Sequence, residues 1–454
     1  MVDARYAHPH PSPLPVVVIG AGPQGLAAAA HLTERGVPFL LLEAGAGPAS
    51  AVAEWEHVRL FSAWPELIDA AAARHLTARG WEAPTSGYPT GAQWISGYLA
   101  PLADALSARI RYDARVTGVS RLGRDRLVDA GRGDQPFVVH TVSADGAEER
   151  ILARAVVDAS GTWSSPSPAG ADGLPAIGEA AAADLLSYRI PDFRDRIGFE
   201  GRHTVVIGSG HSAITAVLAL SRMARRDPGT RVTWALRRAD AGGAYGGGAG
   251  DELPARGALG ERARDAVGAG LVDLVTAFRV ERIGRDGERA VLIAEDGRTL
   301  TADRVVVLTG FRPDLSFLGE LRLDLDPTLQ APRRIATEID PNVHSCGSVA
   351  ATGAADLAQP EPDFYLVGAK SYGRAPTFLA LTGYEQVRSV VAELAGDRAA
   401  ARRVDLVLPD TGVCGGAGLF DAPAATAEGG GGCCSVPAAA ASGVLQIGRA
   451  PAQV

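Results

Sequence analysis

Two glycine-rich segments, 188 residues apart, stand out in this chain of 454 residues. The first runs from Gly20 to Gly25 with the sequence GAGPQG, and the second runs from Gly208 to Ala213 with the sequence GSGHSA. Each follows a run of valine and isoleucine and precedes an apolar stretch, which predicts a strand, a tight turn and a helix. The N–H groups at the start of such a helix bind a pyrophosphate. The predicted binding residues are Gly20, Gly22 and Gly25 in the first segment, and Gly208, Gly210, His211 and Ser212 in the second.

The two segments differ in the residue that ends the following strand. Glu43 ends the strand at 39–42, and a carboxylate there accepts hydrogen bonds from a ribose 2′-hydroxyl but repels a 2′-phosphate. The first site should therefore bind FAD or NAD. Arg237 and Arg238 follow the strand at 231–236, and arginine pairs well with a 2′-phosphate, so the second site should bind NADPH. Two such sites in one chain indicate that electrons pass from one bound cofactor to the other.

Each half of the chain closes in the same way, with a hairpin and then a valine-rich strand that runs into Gly161 or Gly310. This repetition predicts an α/β protein with two Rossmann-like dinucleotide-binding domains, the second inserted in the first. We predict the first part of the first domain at 15–195, the second domain at 196–310, and the second part of the first domain at 311–398. The remainder, 399–454, reads as a flexible Gly/Ala-rich tail.

Composition excludes several classes of function. The net charge of −8 argues against a nucleic-acid partner. No apolar run approaches the ~20 residues that span a bilayer, and the first residues lack the apolar core of a signal peptide, so we expect a cytoplasmic protein with no membrane partner. The four cysteines are too few for a disulfide framework. No Cys-x-x-Cys is present, which argues against electron relay through such a pair.

Further candidate residues follow each predicted turn. The segment 55–64 is dense in aromatic and hydrogen-bonding residues, and in an FAD domain it would pass the flavin; it could equally form an aromatic core cluster. Lys370 is the single lysine among 44 basic residues and follows a glycine turn ahead of a helix predicted at 377–394. A lysine beside a helix N-terminus stabilises negative charge. We therefore predict cofactor contacts from Trp55, Arg59, Gly161, Gly310, Gly368 and Lys370, and catalytic roles for Lys370, Arg59 and Tyr372.

Together with the segments 159–166 and 308–313, the two glycine segments resemble those of class B flavin-containing monooxygenases and N-hydroxylases. The resemblance implies FAD and NADPH as cofactors, a C4a-peroxyflavin, dioxygen and a small-molecule substrate. Three stretches, at 57–62, 370–379 and 408–414, resemble more closely the bacterial flavin-dependent monooxygenases associated with arsenic or mercury resistance operons. This second resemblance implies a link to arsenic or mercury detoxification.

The tail contains the adjacent pair Cys433-Cys434, with Cys414 nearby in sequence. Soft thiolates select soft metals, so these three cysteines could capture a thiophilic ion, or they could be incidental. Two alternatives to a monooxygenase stay open: a flavin-dependent reductase of a thiol-bound metal or organometal, and a non-catalytic, metalloid-binding redox sensor. The sequence determines neither the substrate nor the oligomeric state.

Overall fold

The computed structural model describes residues 14–246, 254–342, 351–376 and 378–406. In chain order the strands are β1 Val16–Ile19, β2 Phe39–Leu42, β3 Ile110–Arg111, β4 Ala114–Arg121, β5 Phe137–Ser143, β6 Glu148–Ala153, β7 Ala155–Asp158, β8 Leu186–Ser187, β9 His203–Ile207, β10 Arg231–Ala235, β11 Asp273–Val275, β12 Val280–Asp286, β13 Arg289–Ala294, β14 Thr299–Ala302, β15 Arg304–Val307 and β16 Phe364–Leu366. The α-helices are α1 Pro23–Glu34, α2 Ser50–Ala53, α3 Ala70–Thr77, α4 Gly91–Trp94, α5 Ala100–Ala105, α6 His211–Arg226, α7 Pro254–Gly268, α8 Arg333–Ile339, α9 Ala354–Leu357, α10 Ala380–Leu394 and α11 Arg398–Arg402.

Two parallel five-stranded sheets organise these elements. The first has the order β16-β7-β1-β2-β3 and the second has the order β11-β10-β9-β15-β8. The central strands β1 and β9 are buried along their whole length, as their continuous valine and isoleucine runs require. Strand β16 joins the first sheet only after the second sheet is complete. The predicted α/β fold, with one dinucleotide-binding unit inserted in the other, is therefore confirmed.

The two halves repeat one plan. Strands β7, β1, β2 and β3 of the first sheet have the same order as β15, β9, β10 and β11 of the second, and each half adds an antiparallel three-stranded sheet, β4-β5-β6 or β12-β13-β14. Strand β8 pairs with β15 although it precedes position 196. Ala169, Ala182 and Leu185 also pack in the core of the second sheet. The domain boundaries stay a prediction, and these residues belong with the second core.

The helical layer of the first sheet contains α1, α3 and α10, and their apolar residues form one core cluster. Helix α10 begins at Ala380, three residues after the predicted start. Helix α11 packs on α10, where the Ser389 hydroxyl donates a 2.6 Å hydrogen bond to the Ala401 carbonyl. No helix in the described parts of the chain is both long and apolar enough to cross a membrane.

A buried ion cluster fixes the segment that leads into β16. The carboxylate of Glu361 lies 2.8 Å from Arg121 Nε and 2.7 Å from Arg132 Nη2, and all three side chains are at most 5% exposed. Burial alone would raise the pKa of Glu361, but hydrogen bonds from Arg132 and Arg121 outweigh burial and lower this pKa below its usual range. The stability that the carboxylate contributes is present above its unfolded-state pKa and is lost as the pH falls through its lower folded-state pKa.

We predict that Glu361→Gln lowers the free energy of unfolding by about 3–5 kcal/mol, because it leaves two buried guanidinium groups without their carboxylate. Urea unfolding followed by circular dichroism measures the change. The control is Glu149→Gln, which breaks the exposed Arg111–Glu149 pair and should change the stability by less than about 1 kcal/mol. Equal losses for the two variants would contradict the prediction.

Candidate functional site

The first glycine turn joins β1 to α1 and lies directly on the end of β7. Gly20 has a φ of +97°, and a Cβ there would lie 2.9 Å from the Ala159 carbonyl oxygen. A Cβ on Gly25 would lie 1.8 Å from the Gly20 carbonyl oxygen, so neither position accepts a side chain. Gly22 is different, because a Cβ there would meet nothing within 4 Å. The turn is therefore tightly packed at Gly20 and Gly25 and open at Gly22, which fits a pyrophosphate approaching the backbone.

The second turn, between β9 and α6, has the same construction. Gly208 has a φ of +130°, and a Cβ there would lie 2.2 Å from the Leu308 carbonyl oxygen, whereas a Cβ on Gly210 would meet nothing within 4 Å. The Trp234 indole N–H donates a 2.7 Å hydrogen bond to the Gly208 carbonyl and ties β10 to the turn. Buried Ala213 occupies the place of the third glycine.

Neither helix that follows these turns has a side-chain cap. Gly22 is the N-cap of α1 and Gly210 is the N-cap of α6, both in extended backbone conformation. Uncapped N–H groups and the positive end of the helix dipole favour an anion. Both helix starts thus fit the phosphates of a dinucleotide.

Glu43 is held in place at the end of β2. Its Oε2 accepts a 2.7 Å hydrogen bond from the Ala21 N–H, and its Oε1 accepts a 2.9 Å hydrogen bond from the Gly45 N–H. A carboxylate has about four acceptor positions, so two remain for ribose hydroxyls. The structure therefore brings Glu43 to the first glycine turn, as the sequence predicts.

The matching position after β10 is occupied by two arginines. Arg237 is exposed, and its Nη1 donates a 2.8 Å hydrogen bond to the Ala171 carbonyl. Arg238 is partly buried, and its burial, followed by the neighbouring charge of Arg237, lowers its pKa. Close positive charges of this kind favour a bound phosphate.

Two linkers connect the sheets: the outgoing linker, 159–168, and the returning linker, 309–317. The Ser167 N–H donates to the Gly310 carbonyl and the Arg312 N–H donates to the Ser165 carbonyl, each at 2.8 Å. The rings of Trp163 and Phe311 stack with their centroids 4.8 Å apart. The two linkers therefore form one hydrogen-bonded and stacked unit. Gly161 and Gly310 begin these linkers with φ values of +69° and +98°.

The aromatic segment after β2 lies against both halves of the chain. The Trp55 ring is 6.4 Å from those of Trp94 and Trp163. The Phe61 ring is 5.3 Å from the ring of His211 at the second turn. Arg59 is exposed and donates a hydrogen bond to the Tyr88 carbonyl. The segment thus places aromatic rings between the predicted dinucleotide sites, while the flavin contacts of Trp55 and Arg59 stay a prediction.

Lys370 has surroundings that the sequence did not indicate. It lies in a 3-10 helix, Gly368–Tyr372, and its Nζ is 2.7 Å from the Asp158 Oδ2, with both side chains 0% exposed. The structure encloses this ammonium in a buried ion pair, and the cofactor contact predicted for Lys370 stays a prediction. The nearby Tyr372 is also buried, and its hydroxyl lies beside the Thr382 side chain. The catalytic roles predicted for Lys370, Tyr372 and Arg59 stay predictions.

Some buried polar atoms lack a partner among the described residues. They include the Gln24 Oε1 and the Trp163 Nε1. Gln24 lies in the first turn of α1, and its Nε2 donates a 3.0 Å hydrogen bond to the Ala380 carbonyl at the start of α10. An unmatched acceptor and donor here fit a bound polar group. No local pattern in the sequence indicates these atoms, because they acquire this property only through long-range packing.

The three tail cysteines proposed to capture a soft metal, Cys414, Cys433 and Cys434, lie outside the described residues. Within the described residues, no group of three or more His, Cys, Asp and Glu side chains could hold a metal ion.

Comparison with known proteins agrees with this geometry. An indole-3-pyruvate monooxygenase of Oryza sativa, YUCCA1, is 30% identical over 212 residues, which is 45% of this chain and 44% of that protein. A ferredoxin–NADP reductase of Ignicoccus hospitalis is 25% identical over 68% of this chain and 81% of its own length. The chain thus matches less than half the length of the rice protein but most of the archaeal one.

Among solved structures, the bacillithiol disulfide reductase Bdr of Bacillus cereus has a TM-score of 0.62 at 21% identity, over 85% of this chain and 99% of that one. This likeness supports the fold. A sequence profile described as "Pyridine nucleotide-disulphide oxidoreductase" matches residues 17–333, which include both glycine turns and both linkers. The missing Cys-x-x-Cys argues against electron relay through such a pair, but the match covers most of the chain. The chain therefore belongs to the pyridine nucleotide-disulphide oxidoreductase family.

Proposed function

We propose that the chain is an FAD- and NADPH-dependent monooxygenase that oxygenates a small-molecule substrate. The observation that carries the proposal is the pair of glycine turns with the same construction and different ends, Glu43 at one and Arg237 and Arg238 at the other. This difference suits one FAD and one NADPH, which is the cofactor set for hydride transfer to a flavin. The oxygenase activity is supported by the identity with the rice monooxygenase and by the lack of a Cys-x-x-Cys to relay electrons.

The first turn would hold FAD. Gly20, Gly22 and Gly25 allow the backbone to approach its pyrophosphate, and the start of α1 supplies N–H donors. Glu43 would accept the ribose hydroxyls, and Gln24 in the first turn of α1 has an acceptor oxygen without a partner among the described residues. When bound, FAD supplies hydride acceptance and dioxygen activation.

The second turn would hold NADPH. Gly208 and Gly210 serve the pyrophosphate in the same way, together with His211 and Ser212 at the start of α6. Arg237 and Arg238 would bind the 2′-phosphate.

Between the two proposed dinucleotide sites, side chains of this protein would exclude water and supply a hydrogen-bond donor. The stacked Trp163 and Phe311 and the neighbouring Trp55 form an apolar wall, which protects reactive groups from hydrolysis. Burial raises the pKa of Tyr372 well above its ordinary value, so its phenol stays protonated at neutral pH. Its hydroxyl, beside the Thr382 side chain, could then donate to substrate or cofactor, a role we also assign to Arg59 at the exposed side.

The substrate class rests on the tail. The adjacent Cys433-Cys434 pair and Cys414 support a link to arsenic or mercury detoxification, in which the thiolates capture a soft ion. The same pair favours a second candidate function, a flavin-dependent reductase of a thiol-bound metal. A redox sensor that binds metalloid is the third candidate, and the second dinucleotide turn argues against it.

We predict that Arg237→Ala/Arg238→Ala weakens NADPH binding by about a hundredfold or more, because two charge-assisted interactions are lost and each contributes about 1.5–3 kcal/mol. NADH binding should change little, since NADH has no 2′-phosphate. Titration of the holoprotein with both nucleotides measures the two affinities. The control is Arg231→Ala, a change at the exposed start of the same strand, which should leave both affinities unaltered. Equal losses for NADPH and NADH would reject the assignment.

We predict that the purified holoprotein oxidises NADPH with consumption of dioxygen, and that it releases no thiol from glutathione disulfide or cystine without oxygen. The reason is that no Cys-x-x-Cys is available to pass electrons to a disulfide. An oxygen electrode and a thiol reagent measure the two reactions. Anaerobic thiol release in step with NADPH oxidation would favour a disulfide reductase. NADPH oxidation in neither assay would favour the sensor.

We predict that Cys433→Ala/Cys434→Ala weakens binding of arsenite and mercuric ion by about tenfold or more, because two linked thiolates act at a high effective concentration. Isothermal titration of the reduced full-length protein measures this affinity. Cys346→Ala, which removes a cysteine distant in sequence, serves as the control. Wild-type affinity in the double variant would exclude ion capture by this pair.

A further inference from the structure

Lys370 is the centre of a ring of contacts that consists of one ion pair and two side-chain hydrogen bonds. Its Nζ lies 2.7 Å from the Asp158 Oδ2 and donates to the Ser160 Oγ at 3.0 Å. The Ser160 hydroxyl in turn donates to the Asp158 Oδ1 at 2.6 Å, and the Ser160 N–H donates to the same oxygen at 3.0 Å. Lys370 and Asp158 are 0% exposed, whereas Ser160 is exposed. The ring therefore connects a buried charge pair to the surface at one residue.

Stability alone does not account for this ion pair. Removing a lysine and an aspartate from water is costly, and apolar residues of similar volume at such positions are often as stabilising or more so. The planar guanidinium of an arginine differs in shape from the compact Lys370 ammonium and would not fit the same space beside Asp158. The reason for this pair should therefore be sought in the segments that it holds.

Asp158 is the last residue of β7, and the outgoing linker starts immediately after it. Its carbonyl accepts a 3.0 Å hydrogen bond from the Val367 N–H just after β16. The next residue, Ala159, has its carbonyl oxygen 2.9 Å from the position of a Cβ on Gly20. Movement of 158–160 would therefore disturb the first glycine turn directly.

The returning linker ends at the same ion pair. The Lys370 ammonium lies 4.2 Å from the centroid of the Phe317 ring, a distance at which a cation is attracted to the ring face. Phe317 is the last residue of the returning linker. Both connections between the two sheets thus meet the buried charge pair at the first sheet.

We propose that Lys370 is a positioning residue. Together with Asp158 and Ser160, it holds the start of the outgoing linker and the end of the returning linker in place, and so it sets the position of the second dinucleotide turn relative to the first. The kinetic part of this inference rests on the proposed function, since it concerns hydride transfer between the two sites. Such transfer depends steeply on separation, and a displacement of about 1 Å can reduce a rate by about a hundredfold. Lys370 acts here through the linkers, without contact to substrate.

The test uses the holoprotein variant Asp158→Asn/Lys370→Met, which removes both charges and leaves an acceptor for the Ser160 N–H. We expect near-wild-type thermal stability and FAD content, but flavin reduction by saturating NADPH slower by about tenfold to a hundredfold, with the NADPH dissociation constant little changed. The matched control, Glu385→Gln/Arg388→Met, removes the ion pair on α10, whose side chains are 6% and 12% exposed, and should leave the reduction rate unchanged.

A second variant, Ser160→Ala, covers the case in which the double variant does not fold. It removes the hydrogen bonds that the Ser160 hydroxyl makes with Lys370 and Asp158 and keeps the one from the Ser160 backbone N–H, so the protein should stay folded while reduction slows. Hydrogen exchange at the Ser167 and Arg312 amides provides a readout that is independent of activity, and exchange should be faster in both variants but not in the control. Wild-type rates and exchange in Ser160→Ala would overturn the proposal.

The outcomes separate this inference from the proposed function. Should NADPH fail to reduce the flavin of the wild-type protein, the proposed function is wrong, and the linker exchange still decides the positioning role. Should NADPH reduce the wild type, and reduce the double variant equally fast, the ion pair is structural only.

Discussion

Contact between a glycine turn and the end of a neighbouring strand is the constraint on which the rest of the structure depends. At Gly20 and at Gly208, a backbone carbonyl occupies the space where any side chain would begin. These carbonyls belong to Ala159 and Leu308, at the ends of β7 and β15, where the chain leaves one sheet for the other. Because each turn touches the strand end that continues into a linker, nucleotide binding and the geometry of the linkers are physically coupled.

This coupling explains why the two halves are similar in backbone and different in chemistry. The turns, the central strands and the closing strands must repeat, since their packing leaves no room for variation. The side chains at the ends of β2 and β10 can differ in charge, because each has only to reach the ribose of its own nucleotide. Glu43 is held by two backbone N–H groups, whereas Arg237 is oriented by the carbonyl of Ala171. A single architecture thus presents a negative group at one site and positive groups at the other.

Local sequence predicted much of the fold and part of the candidate site. The strands at 16–19 and 39–42, the start of α1 and the place of Glu43 follow from short-range patterns of β-branched residues and glycines. No local sequence pattern predicts which residues far apart in the chain will form ion pairs. Lys370 and Asp158 are far apart in sequence, as are Glu361 and its partners Arg121 and Arg132, and nothing in a charged residue indicates which distant charge it will meet. The anionic and neutral neighbours of Lys370 became apparent only in three dimensions.

The burial of Lys370 also has a consequence for protein chemistry. It is the single lysine of the chain, and its ammonium is fully enclosed. Amine-directed reagents can reach no lysine side chain while this region is closed, so any modification at this position requires the strands around Asp158 to open. The extent of labelling would then report the population of opened molecules. Lys370 thereby serves as a natural probe of how often this part of the fold opens.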